Sequence, residues 1–166
     1  MRYIVRENFF RLGEDNTITH DDGTPAFRVD GRALSLRNHM DIYDLQGEPV
    51  GAVQRKLVSM LPQYEITLQD GTNAVLHKQL SFLHQRWTLT SGSDTIELDG
   101  NVMQHNYTFA RNGTPLASVS KAWVALTDTY GVDITDGEND VLILGAVLGL
   151  EADQNDEQHR NSFNLT

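Results

Sequence analysis

Five basic residues, Arg55, Lys56, Lys78, Arg86 and Lys121, are the positions where residue type and spacing together suggest chemistry. Guanidinium and ammonium groups recognise phosphate and carboxylate oxygens through charge-assisted hydrogen bonds. Arg55, Lys56 and Lys121 come just after segments of the pattern G-x-P-φ-x-x-V, and Lys78 holds the matching place in a degenerate copy. If the copies stack around a barrel, equivalent positions come near one another and gather positive charge for a phosphate-bearing ligand. The competing reading is a set of separate, solvated strand ends.

Other constellations are missing. The sequence contains no G-x-S-x-G, no H-E-x-x-H, no G-x-x-x-x-G-K-[ST] and no G-x-G-x-x-G after a strand. Six histidines (His20, His39, His77, His84, His105 and His159) are scattered without a helical ligand pair, although His77 and His84 are close enough in sequence to meet across a turn. Asp133, Asp136 and Asp140 surround Gly137 with the composition of a calcium loop, but their spacing does not fit the alternate-position template of an EF-hand. They read better as acids placed near a helix N-terminus, where the dipole favours negative charge. With no cysteine in the chain, disulfides, thiol nucleophiles and thiolate-bound zinc are ruled out. No catalytic residue, metal ligand or cofactor is therefore assigned.

The formal net charge of −10 argues against a nucleic-acid-binding role, which needs clustered cations. That charge is unevenly placed. Residues 122 to 166 hold nine of the 23 acids and only Arg160 against them, whereas residues 1 to 121 balance 14 acids with 12 cations. A local basic surface on the first part is compatible with the acidic whole. The acidic end is expected to be a solvated terminus. Charges at Arg2, Arg6, Glu7 and Arg11 interrupt residues 1 to 12, which read as a first strand and not as a signal-peptide core. The expected location is the cytoplasm, with a peripheral membrane position open, and the sequons at Asn106, Asn112 and Asn164 carry no weight there.

The elements that must position the cations are strands. Turn glycines recur at Gly23, Gly47 and Gly71, each after a polar residue, and Gly113 follows Asn112. Such dipeptides between alternating apolar stretches signal hairpins. Gly23-Thr-Pro25-Ala-Phe-Arg-Val29, Gly47-Glu-Pro49-Val-Gly-Ala-Val53 and Gly113-Thr-Pro115-Leu-Ala-Ser-Val119 share more than spacing, which favours a true repeat of about 24 residues over an evenly spaced meander. A second short element follows each copy: Leu34-Ser35-Leu36, Ser59-Met60-Leu61, Ser81-Phe82-Leu83 and Ala125-Leu126. Period-two stretches at 41–45, 64–68, 86–89, 95–98, 107–109 and 130–134 add further half-buried strands. The total is about a dozen, enough for a closed barrel or a sandwich.

After Ile134 the pattern becomes helical. Thr135-Asp-Gly-Glu138 fits a capping box, and Val141 to Leu150 is apolar at every position. Ten residues are too few to span a bilayer, so the segment is expected to be a helix of about 138–154 buried inside the domain. Gly145 and Gly149 lie four apart on one face and predict close approach of helix and strands. Residues 1–154 then form one domain, with 155–166 a polar tail.

Segments Asp41-Ile-Tyr-Asp-Leu-Gln-Gly47, Val53-Gln-Arg-Lys-Leu-Val-Ser-Met-Leu61, Lys121-Ala-Trp123 with Thr127-Asp-Thr-Tyr-Gly-Val132, and Val141 to Leu150 give the chain from Phe9 to Gln154 a resemblance to the LURP-one-related family. That family is grouped with tubby C-terminal domains and phospholipid scramblases. The resemblance implies a twelve-stranded β-barrel threaded by one hydrophobic C-terminal helix. It implies no catalytic residues. Phosphoinositide binding by tubby domains and the membrane setting of scramblases suggest anionic lipid as a ligand. The acids flanking the apolar run here set it apart from the longer, membrane-entering scramblase helix. Sequence thus points to a non-enzymatic ligand-binding or interaction domain for anionic lipid, with a cytoplasmic scaffold that binds another protein as the alternative and a hydrolase as a third reading.

Overall fold

The computed structural model describes residues 1–7, 16–31, 39–80, 86–124 and 127–164. Twelve strands, β1 (Arg2–Arg6), β2 (Asn16–His20), β3 (Pro25–Gly31), β4 (His39–Tyr43), β5 (Pro49–Arg55), β6 (Gln63–Leu68), β7 (Asn73–Gln79), β8 (Arg86–Ser91), β9 (Asp94–Asn101), β10 (Asn106–Arg111), β11 (Thr114–Ser120) and β12 (Thr129–Ile134), are followed by helix α1 (Asp140–Asn164). Each strand pairs antiparallel with its sequence neighbours, and β1 pairs with β12 to close the barrel. Among the described residues no sheet edge is left for another chain to extend. Alternation places Tyr3 and Val5, Tyr64 and Ile66, Trp87 and Leu89, Tyr107 and Phe109, and Tyr130 and Val132 inside, where they surround α1.

The repeat is real and has a structural cause. At Gly23, Gly47 and Gly71 the same turn recurs: the amides of His20, Asp44 and Leu68 donate to the carbonyls of Thr24, Glu48 and Thr72, with φ of +84°, +85° and +88° at the three glycines. In each copy with proline, the ladder then slips by one residue, so that Thr19 pairs with Pro25 but Ile18 with Phe27, Tyr43 with Pro49 but Ile42 with Gly51, and Ala110 with Pro115 but Phe109 with Ala117. The extra residue is the φ of the pattern: Ala26, Val50 or Leu116. Asn73 stands where the Gly71 copy lacks proline, and its ladder runs on without slipping, from Thr67 with Asn73 to Ile66 with Ala74. One residue fewer makes Leu76 the counterpart of Val29, Val53 and Val119, all of them buried. By the same count Lys78 matches Arg55 and Lys121. Of the expected second elements, Ser59-Met60-Leu61 is part of the β5–β6 connection and not a strand. The other three, at 34–36, 81–83 and 125–126, lie outside the described residues.

Helix α1 differs from its expected bounds at both ends. Residues 135–138 form a separate turn with Gly137 at φ +92°, and Glu138 turns to Arg111. The cap is Asn139, whose Oδ1 accepts the amide of Leu142 at 3.1 Å. At the other end the helix continues to Asn164, ten residues past the expected boundary. Twenty-five residues rise about 37 Å at 1.5 Å each, whereas the eight residues of β9 reach about 27 Å at 3.4 Å each. The polar turns therefore emerge from the barrel. Buried Leu142 to Leu150 is the threaded part. A Cβ on Gly145 would lie 2.9 Å from Ile66 Cγ2, and one on Gly149 would lie 3.0 Å from Leu76 Cδ2, so these glycines let the helix seat against β6 and β7. No helix among the described residues is long and apolar enough to cross a membrane.

Candidate functional site

Antiparallel closure sorts the connections by end. Tight turns after the even-numbered strands gather where α1 enters, and there Arg111 clasps Asp94 at 2.8 Å and Glu138 at 2.8 Å. Tyr3 donates to Asp140 at 2.5 Å at the same end. The odd-numbered strands finish at the opposite mouth, where α1 leaves.

At this mouth the five cations separate into two groups. Val53 and Leu76 point inward, so period two turns Arg55 and Lys78 inward as well. Both meet the emerging helix: Arg55 Nη1 pairs with Asp156 Oδ2, and Lys78 Nζ lies 2.8 Å from Glu157 and 3.9 Å from Asp153. Lys56, one residue on, faces the outer wall and sits 3.4 Å from Glu65. Lys121 lies 2.5 Å from Glu7, and Arg86 is exposed with no ion pair among the described residues. The structure thus brings Arg55 and Lys78 together through the helix, leaves Lys56 and Arg86 on the outside, and sets Lys121 half-exposed at the rim beside Glu7. Asp133, offered above as a calcium-like acid, instead pairs with Arg2 at 3.2 Å. His77 lies on β7, and His84 is outside the described residues.

The sequence reading missed the polar interior of the mouth. Glu151, Asp153 and Gln154 are buried. Glu151 pairs with His105 Nε2, and Gln154 donates to the Val102 carbonyl at 2.7 Å. The His105 ring stacks on Tyr130 with centroids 4.3 Å apart. Burial and then the nearby Glu151 charge push the Tyr130 hydroxyl well above its ordinary range. On the other side of the helix Trp87 carries Lys78 at 5.7 Å from its ring centroid, and Tyr64 packs 6.5 Å from Trp87. The Tyr64 hydroxyl, Trp87 Nε1, His105 Nδ1 and Asp153 Oδ1 are buried without a hydrogen-bond partner among the described residues. Local pattern held no sign of this, since Glu151 and His105 are 46 residues apart.

Desolvation raises the Asp153 carboxyl to about 6 against an ordinary 3.8, with Lys78 opposing the shift. A folded-state value above the unfolded one means that the folded protein holds this proton more tightly. The group's stabilising contribution is complete below about pH 4 and is lost as pH rises through 6. Wild type should therefore lose up to about 3 kcal/mol relative to Asp153→Asn between pH 4 and 7. Urea unfolding of both proteins across that range measures it, and parallel curves would exclude the effect.

Fold and mouth together define a class: a closed antiparallel barrel threaded by a helix, with cations and buried polar groups collected at one end. The chain belongs to the LURP-one-related family, whose model matches residues 1–151. It is similar to YxjI of Bacillus subtilis (strain 168), an uncharacterised protein 29% identical over 144 residues that cover 87% of each chain. No solved structure matches.

Proposed function

We propose that the protein is a non-enzymatic binding domain whose helix-exit end docks on anionic lipid surfaces. One observation carries this reading. Of the nine large apolar residues that are exposed among the described residues, six (Leu57, Val58, Met60, Leu80, Met103 and Phe163) lie at this end. The same end carries Lys56 and Arg86 on its outer side and Lys121 at its rim. Trp123 is accounted for differently, since it lies on the wall against Gly131 with Arg2 4.8 Å above its ring. Val58 and Met60 are fully exposed, and neighbouring exposed apolar residues rimmed by polar ones mark interaction surfaces. Apolar tips beside cations match the interface of an anionic bilayer, where buried apolar area and charge attraction add. Lys56 and Lys121 are themselves half-exposed in their pairs with Glu65 and Glu7, and exposed pairs are worth about 0–1 kcal/mol each, so a phosphate-rich surface can compete for these lysines.

Cosedimentation with vesicles containing phosphatidylinositol 4-phosphate tests the proposal. Binding should fall with salt and be absent for neutral phosphatidylcholine alone. With each charge worth on the order of 1 kcal/mol, Lys56→Ala, Arg86→Ala and Lys121→Ala together should weaken binding roughly 100-fold. The exposed Leu57, Val58 and Met60 also favour a second reading, a scaffold that covers them with a protein partner. Binding that is absent at low salt, or indifferent to the triple substitution, puts the scaffold ahead.

A further inference from the structure

We propose that Arg55, Lys78, the Tyr64 hydroxyl and the Trp87 indole N–H form a phosphate-binding site inside the barrel mouth, and that α1 fills it in this conformation with its own carboxylates. The register assembles the donors: Arg55 is opposite Tyr64 across β5 and β6, and Lys78 is opposite Trp87 across β7 and β8. Paired positions share a face, so all four side chains point into the mouth. Tyr64 and Trp87 are essentially inaccessible, yet neither polar atom has an acceptor among the described residues. A buried donor left without an acceptor is unfavourable, so the site as it stands is incompletely used. Two cations converging beside two unpartnered donors are the groups that bind a tetrahedral oxyanion through charge-assisted hydrogen bonds.

The present occupants are Asp156 on Arg55 and Glu157 on Lys78. Their carboxylate oxygens stand where phosphate oxygens would stand, and they act as an internal ligand. Displacing them leaves the threaded segment alone, because Leu142 to Leu150 are held by apolar burial and the turns from Asp156 onward are exposed or half-buried. Asp153 lies between the two regimes, buried, with one oxygen unpartnered. An incoming phosphate would therefore release the last turns of α1 and leave the barrel intact. This site is separable from the outer cations of the docking surface, so either can exist without the other.

The test uses inorganic pyrophosphate in calorimetry and vesicles containing phosphatidylinositol 4-phosphate in cosedimentation, so that free and lipid-borne phosphate are distinguished. Asp156→Asn with Glu157→Gln removes the internal competitor and should tighten binding at least tenfold in whichever arm carries the ligand. Lys78→Gln in that background should abolish the gain. Amide exchange at residues 156–164 of the wild type should accelerate on binding, a readout that a merely structural ion pair would not move. Pyrophosphate binding without vesicle binding would keep this site and sink the membrane proposal. Vesicle binding indifferent to the Asp156, Glu157 and Lys78 substitutions would sink this site and leave the membrane proposal standing. Absence of binding in both arms, or unchanged helix exchange, overturns the inference.

Discussion

Leu144→Asp should abolish soluble expression. Leu144 is wholly inaccessible at the centre of the threaded segment, with the barrel wall on every side. Removing the side chain alone costs about 2–5 kcal/mol through lost burial and the space left behind. A carboxylate without a partner adds several more, or is forced to protonate. Total stability for a domain is about 5–15 kcal/mol, so the sum approaches the whole. Leu144→Met keeps the volume and should cost less than about 1.5 kcal/mol. A soluble Leu144→Asp protein with the wild-type thermal midpoint would mean that the helix does not thread the barrel.

Gly100→Ala should be the next most damaging change. Gly100 has φ +128°, and a Cβ there would lie 2.6 Å from the Asn106 carbonyl oxygen and 2.7 Å from the Tyr107 Cα. Both obstacles are backbone of the adjoining strand and cannot swing aside. Strain and overpacking together should cost about 3 kcal/mol or more. That lowers the thermal midpoint by roughly 6–12 °C in a chain of this length. Gly71→Ala is the control: its φ is +88° but nothing lies within 4 Å of the added atom, so only the left-handed backbone is charged, at about 1–2 kcal/mol. Equal losses for the two variants would contradict the packing around β9 and β10. That packing also holds the 102–105 turn against Glu151 and Gln154.

The two substitutions probe opposite ends of what sequence could reveal. The helix was visible because Val141 to Leu150 is apolar throughout and too short to cross a bilayer, which leaves burial as the outcome. The strands were visible from period two, and the repeat from its turn residues. Its bulge was implicit in the contrast between Pro25, Pro49 and Pro115 on one side and Asn73 on the other, because only a ladder that slips keeps Lys78 in step with Arg55. Period two also carried the separation of Arg55 from Lys56: with Val53 inside, Arg55 must face in and Lys56 out. Grouping them by their place after the repeated segments missed it. Other features had no local signature. Acids following an apolar run read as a solvated end, and burial of Glu151 and Asp153 depends on how far the helix has travelled when it reaches His105 and Lys78. The length of α1 past residue 154 is likewise supported by contacts with distant strands. The capping box at Thr135 failed because Gly137 takes a left-handed turn there and Arg111 draws Glu138 away.

The proposed docking surface can be read directly, because the chain has no cysteine and a single introduced one takes an environment-sensitive fluorophore uniquely. Met60→Cys places it on the exposed connection at the helix-exit end, and Leu45→Cys places it on the exposed turn at the opposite end. With vesicles containing phosphatidylinositol 4-phosphate, emission from position 60 should shift to the blue as the tip enters the apolar boundary, and position 45 should not respond. No shift at position 60, or the same shift at both positions, would contradict docking by this end.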